Sequence, residues 1–229
     1  MTTVELEYPE QHLLWAGVML SSISHAIFVA RYLELAHEQS WDENNYCVQD
    51  SAGSRGTIAF SGKQFVAVFF SARSNRNPFK SDEAYDLQRF FDGLPNELAV
   101  LAHDEAVQYM LQDYKGDKLP IITSAFWGDG KQKHIAAAEK WNNVFENGAF
   151  LIKNQLLSQD KSFAAWQVEY GLSAEEGTLI KSLFERKIRH FESQIHLTTS
   201  ERSLLQSIAS NKENLDICYE SFLEINIIM

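Results

Sequence analysis

YCVQDSAGSRGTIAFSGKQFVAVFFS, residues 46–71, holds three runs with a period of two and a turn signal between each pair. Tyr46 and Val48 alternate with Cys47 and Gln49, which predicts a short first strand. In TIAF, Ile58 and Phe60 lie on one face while Thr57 and Ala59 lie on the other. SGKQ, residues 61–64, reads as a tight turn. The run after it is apolar on both sides, with Phe65, Ala67 and Phe69 facing one way and Val66, Val68 and Phe70 the other. A strand covered on both faces is a central one. The segment therefore predicts an up-down-up antiparallel unit, and LPIITSAFWG (119–128) is a candidate fourth strand.

The loop in the first connection, Ser51 to Gly56, is rich in glycine and serine. Glycine loops that cradle phosphate hand it to a helix N-terminus, whose free N–H groups point outward. Here the chain after Gly56 alternates as a strand, so a nucleotide fold is excluded. With three strands, SARSNRNPF (71–79) leaves the sheet at the same end as this loop. That course predicts that Arg55, Arg73 and Arg76 converge, with Asp50 at the base and the hydroxyls of Ser51 and Ser54 beside them. Such a group suits a small anion. The competing expectation is that the arginines pair with Asp50, Asp42, Glu43 or the acids of the following helix.

Outward from the sheet the patterns turn helical. HLLWAGVMLSSISHAIFVARYLELA (12–36) is apolar over about the length of a membrane span. Ser21, Ser22, Ser24 and His25 interrupt it, and no basic residue precedes it as a secretory signal requires. It reads as a long, buried helix of a soluble protein. SDEAYDLQRFF predicts a helix capped by Ser81, and a second helix starts at Asn96 with Leu98, Leu101, Val107 and Leu111 packing. Ser173–Glu176, Thr198–Glu201 and Ser210–Glu213 each match the capping box, and Gly171 is placed to end the preceding helix. Ile180, Phe184, Ile188, Phe191 and Ile195 form an apolar stripe. The fold class is α+β: a small antiparallel sheet packed against a long N-terminal helix and a C-terminal helical bundle. One compact domain over residues 1–229 fits this pattern. A division into a helix-plus-sheet portion (1–130) and an all-helical portion (131–229) fits it equally.

A chain of 229 residues can bury about 70% of its unfolded surface. The net charge of −11 argues against general nucleic-acid binding, which needs clustered Lys and Arg. It favours solubility and a basic partner. Cys47 and Cys218 have no CxxC spacing, which suits a reducing compartment and a cytoplasmic location. No metal or cofactor motif is present among the seven histidines and two cysteines.

Four other motifs fail as catalytic signatures. SAFWGDGKQKHIAAAEKW (124–141) has Ala125 and Gln132 where a phosphate loop needs glycine and a hydroxyl, so Asp129 as a helix cap is the simpler expectation. Neighbours in His103-Asp104-Glu105 are splayed on a helix. His190 and His196 do not share a helix face, and LFERKIRHFE (183–192) is a mixed, exposed charge run. No G-x-S-x-G elbow or nucleophile motif occurs.

Two functional readings remain. In the first, Trp41, Asp42, Glu43 and Tyr46 form an acidic, aromatic-bearing surface that meets a protein partner, a basic one, in an inhibitor or immunity-type role without catalysis. In the second, Arg55, Arg73 and Arg76 hold a phosphate or carboxylate of a small molecule, as a binding protein or an enzyme.

Overall fold

The computed structural model describes residues 11–80, 84–128, 133–190 and 193–229. In chain order they form α1 (Gln11–Val29), β1 (Gln39–Asp42), β2 (Asn45–Gln49), β3 (Arg55–Ser61), β4 (Gln64–Phe70), β5 (Leu111–Tyr114), β6 (Asp117–Pro120), β7 (Ser124–Gly128) and β8 (Lys133–His134). They continue as α2 (Trp141–Glu146), α3 (Gln159–Glu169), α4 (Ala174–Arg189), β9 (Ile195–His196), α5 (Thr199–Ile208), α6 (Lys212–Glu224) and β10 (Ile227–Ile228). These elements belong to two compact units, one holding residues 44–153 and the other residues 13–43 with 154–229.

The first unit is built on an antiparallel sheet in the order β2-β3-β4-β7-β8. The up-down-up course of residues 46–71 is present, with Cys47 opposite Thr57 and Thr57 opposite Val68. Five strands replace the smaller sheet expected. LPIITSAFWG divides, because Leu119 and Pro120 belong to the β5–β6 hairpin and only Ser124–Gly128 joins the sheet beside β4. Lys133 and His134 then pair with Gly128 and Trp127. The chain after the second glycine loop is thus a strand where a helix was expected, and α2 begins only at Trp141. Asp129 and Lys131 lie outside the described residues.

Both faces of β4 are covered, so Phe65, Val66, Ala67, Val68 and Phe69 are fully buried. Each large side chain so removed from water contributes roughly 1.5–3 kcal/mol. On one face Val66, Val68, Phe70, Ala125 and Trp127 pack on Leu98, Ala102, Ala106, Val107 and Met110. This covering segment differs from the regular helix expected after Asn96. It joins a 3-10 turn (Asn96–Leu98), a π turn (Leu101–Glu105) and another 3-10 turn (Ala106–Met110). Its core residues recur every four positions at 98, 102, 106 and 110, a spacing the wider π turn keeps aligned. Leu101 and Leu111 are only half-buried. SDEAYDLQRFF shows a single 3-10 turn, Gln88–Phe91, where a helix was expected, and Ser81 lies outside the described residues. Tyr85 holds this stretch extended, since its hydroxyl donates to the Ile122 carbonyl and accepts from the Ile122 amide.

On the opposite face Phe126 stacks on Phe69 and meets Phe65 and Trp141 edge-on. Two glycines make room for these rings. A Cβ on Gly56 would lie 2.2 Å from the Phe69 ring, and one on Gly128 would lie 2.5 Å from the Phe65 ring. Gly56 is therefore a packing position beneath a cross-strand phenylalanine.

In the second unit α1 is shorter than the 12–36 helix expected, ending at Val29. Its last carbonyls are taken by other groups: the Ser210 amide bonds Ala30 and the Asn214 side chain bonds Val29. His12–Val29 is long and apolar enough to cross a membrane, and 83% of it is buried within the fold. The serines of its polar middle are satisfied internally. Ser22 and Ser24 donate to the carbonyls four residues back. Ser21 donates to Gln39, Gln39 donates to Tyr170, and the Tyr170 hydroxyl meets His25 Nδ1.

The capping boxes at Ser173 and Thr198 are both formed, and Gly171 follows α3 at φ +57°. The third box is not formed: Asn211 caps α6 by accepting the Asn214 amide. The apolar stripe also stops early, because α4 ends at Arg189 and Ile195 belongs to β9. Ile188 is 39% exposed, and Phe191 lies outside the described residues.

Candidate functional site

The loop 50–54 closes on itself. Asp50 Oδ1 accepts from the amides of Ala52 and Ser54, and the Asp50 amide donates to the Ser54 carbonyl. Gly53 supplies the left-handed residue this turn needs, at φ +82°. The amides of Ala52 and Ser54 are therefore held by Asp50 and are not turned to an anion. Ser51 is exposed, whereas Ser54 is fully buried. A Cβ on Gly53 would lie 3.9 Å from Ala72 Cβ, so this loop and the chain leaving β4 do share one end of the sheet.

At that end the three arginines have separate surroundings. The Arg55 guanidinium lies over the Phe70 ring, 5.6 Å from its centroid. Burial lowers the Arg55 pKa, and its Nε has no hydrogen-bond partner among the described residues. Arg76 is held by an ion pair with Glu139 at 3.0 Å and donates to the Thr123 carbonyl at 3.3 Å. Its acid is therefore none of those expected from the sequence. Arg73 is exposed and pairs with no carboxylate among the described residues.

Arg73 borders a cleft of about 370 Å³ lined by Ser71, Ser74, Glu146, Asn147 and Phe150 with it. Its walls come from the loop after β4 and from the end of α2, which hydrogen bonds tie together. Thr123 Oγ1 accepts the Ser71 amide at 2.9 Å and donates to the Asn147 carbonyl. The Ser74 hydroxyl donates to Asn147 Oδ1 and accepts the Arg76 amide. Gly148 lets the chain beyond α2, a 3-10 turn at Ala149–Ile152, approach β4, since a Cβ there would lie 2.4 Å from Phe69 Cβ. Ser71 is 1% exposed, and its Oγ has no partner among the described residues. The arrangement offers one unpaired guanidinium, one unused hydroxyl and a rigid amide-and-hydroxyl wall. This suits recognition of an anion.

Of these residues only Arg73 was legible beforehand as part of an anion site. Ser71, Ser74, Glu146, Asn147 and Phe150 were missed, and no local signal marks the α2 residues, which lie some seventy positions along the chain.

The acidic aromatic stretch lies mostly elsewhere. Tyr46 is fully buried in β2, which removes its ring from any surface. Its outward neighbours are Cys47 and Gln49, because side chains alternate along a strand. Trp41 is half-buried, with its indole N–H donating to Ser22 of α1 and its amide to Glu224. Asp42 and Glu43 are exposed, and Glu43 adopts φ +52°. The Glu224 carboxyl is raised by burial and by Glu220 and Asp42, against the lowering effect of the Trp41 amide. Among the described residues no three His, Cys, Asp or Glu side chains gather as a metal site requires. Both cysteines are free, and burial pushes the Cys218 thiol up to about 12.

No protein-family model matches this chain, and no curated protein or solved structure matches it either.

Proposed function

We propose that this protein binds a small anionic metabolite, a carboxylate or phosphate, in the cleft between the loop after β4 and the end of α2. One observation carries the reading. Arg73 borders a 370 Å³ cleft with no ion pair among the described residues, and the buried Ser71 hydroxyl beside it has no partner there. An unpaired guanidinium at the border of an open cleft is free to make a bidentate contact with an anion. Arg55 and Arg76 are engaged outside the cleft, one over the Phe70 ring and the other by Glu139. Two free thiols suit work in the reducing cytoplasm.

A ligand that binds only the folded state raises its melting temperature. Titrating inorganic phosphate, acetate and larger carboxylates should raise it in the native protein and leave it unmoved in Arg73→Ala. No shift with any of these anions would end the proposal.

A second reading rests on Asp42 and Glu220, whose charges add to burial in raising the Glu224 carboxyl, with Glu43 exposed next to Asp42 in the chain. This face would draw a basic protein partner, with Trp41 at its border. Association should slow steeply as salt rises, and Asp42→Asn with Glu43→Gln should slow it at low salt. A rate indifferent to ionic strength would count against this face.

A further inference from the structure

The same cleft carries a charge that simple anion binding does not use. Glu146 lines it opposite in sign to Arg73, and the two do not form an ion pair with each other. Glu146 is exposed and has no hydrogen bond or ion pair among the described residues. Unlike charges that border one cleft and remain apart are set for a ligand that bears both. Phe150, half-buried, supplies an apolar wall. A volume of 370 Å³ lies near the lower end of the roughly 300–1,000 Å³ typical of small-molecule sites, which suits a metabolite smaller than a nucleotide.

We infer that the ligand is a zwitterionic α-amino acid with an apolar side chain. Its carboxylate meets Arg73, its ammonium meets Glu146, and its side chain lies on Phe150. Ser71 also lines the cleft, and its almost wholly buried hydroxyl has no partner among the described residues. The inference rests on the anion reading above and adds the second charge.

Three probes of matched shape separate the two: L-leucine, 4-methylpentanoate, which lacks the ammonium, and 3-methylbutylamine, which lacks the carboxylate. Calorimetric titration of the full chain should give leucine an affinity about two- to five-fold above that of 4-methylpentanoate, the scale of one exposed charge contact. The amine alone should bind more weakly than either. Arg73→Ala should abolish binding of both carboxylates. Glu146→Gln should keep 4-methylpentanoate binding and erase the advantage of leucine. Both side chains are exposed and make no bond among the described residues, so neither change should alter the melting temperature of the unliganded protein. Equal affinity for leucine and 4-methylpentanoate, or a leucine preference that survives Glu146→Gln, overturns the amino-acid assignment and leaves anion binding intact. Failure of every carboxylate to bind overturns the amino-acid assignment, and failure of inorganic phosphate as well overturns the anion reading with it.

Discussion

Gly56 closes the glycine- and serine-rich stretch of the sequence, yet it lies inside β3 and is a packing position. Any side chain there would enter the space of the Phe69 ring, with the Val68 carbonyl 3.2 Å away on the other side. Overpacking of this kind costs about 1–3 kcal/mol. Gly56→Ala should lower the urea midpoint accordingly. Combining it with Phe69→Leu should cost less than the two changes summed, because the shortened side chain vacates the space the new methyl needs. Strict additivity in that cycle would show that the glycine answers to something other than the ring. Arg76 teaches the same lesson from the other side. An arginine that looked available in the sequence is held by Glu139, sixty-three positions away, while Arg73 three residues earlier is not.

Helix boundaries in the second unit turn on single caps. Ser210 and Asn211 both precede α6, and the sequence pattern S-x-x-E favours Ser210. The formed bond runs from the Asn214 amide to Asn211 Oδ1 at 3.0 Å. Asn214 in turn caps the end of α1 through the Val29 carbonyl, so the position of this one residue serves two helices. Asn211→Ala should destabilise the fold by about 1 kcal/mol, and Ser210→Ala by no more than a few tenths. Thermal unfolding of the two variants checks this, and the opposite ranking would restore the sequence-based assignment. At Ser173 and Thr198 the boxes are reciprocal and fully formed, with Glu176 and Glu201 each bonding back to the cap amide. Those two helix starts were legible because both partners lie within four residues.

For the molecule as a whole, His25 should set an acid limit on stability. Burial lowers its pKa from 6.5 to about 4, the Ala36 carbonyl partly offsets this, and His37 adds to it. The folded protein therefore holds His25 neutral where the unfolded chain protonates it. Above pH 6.5 the group contributes no pH dependence; as pH falls from 6.5 toward 4 stability is lost, by roughly 3 kcal/mol in all. The native protein should lose denaturant resistance between pH 6.5 and about 5, before most carboxylates titrate, and His25→Gln should flatten that slope. An unchanged slope would place the acid sensitivity elsewhere. The sequence alone settled the antiparallel course of residues 46–71, the burial of β4, the two capping boxes and the buried character of α1, since each follows from periodicity or from partners a few residues apart. Only the tertiary structure decided that β7 and β8 extend the sheet, that Tyr46 is enclosed, and which arginine remains unpaired. Those outcomes depend on contacts between residues such as Arg76 and Glu139 or Ser74 and Asn147. Such contacts leave no periodic trace along the chain, because only folding brings their partners together.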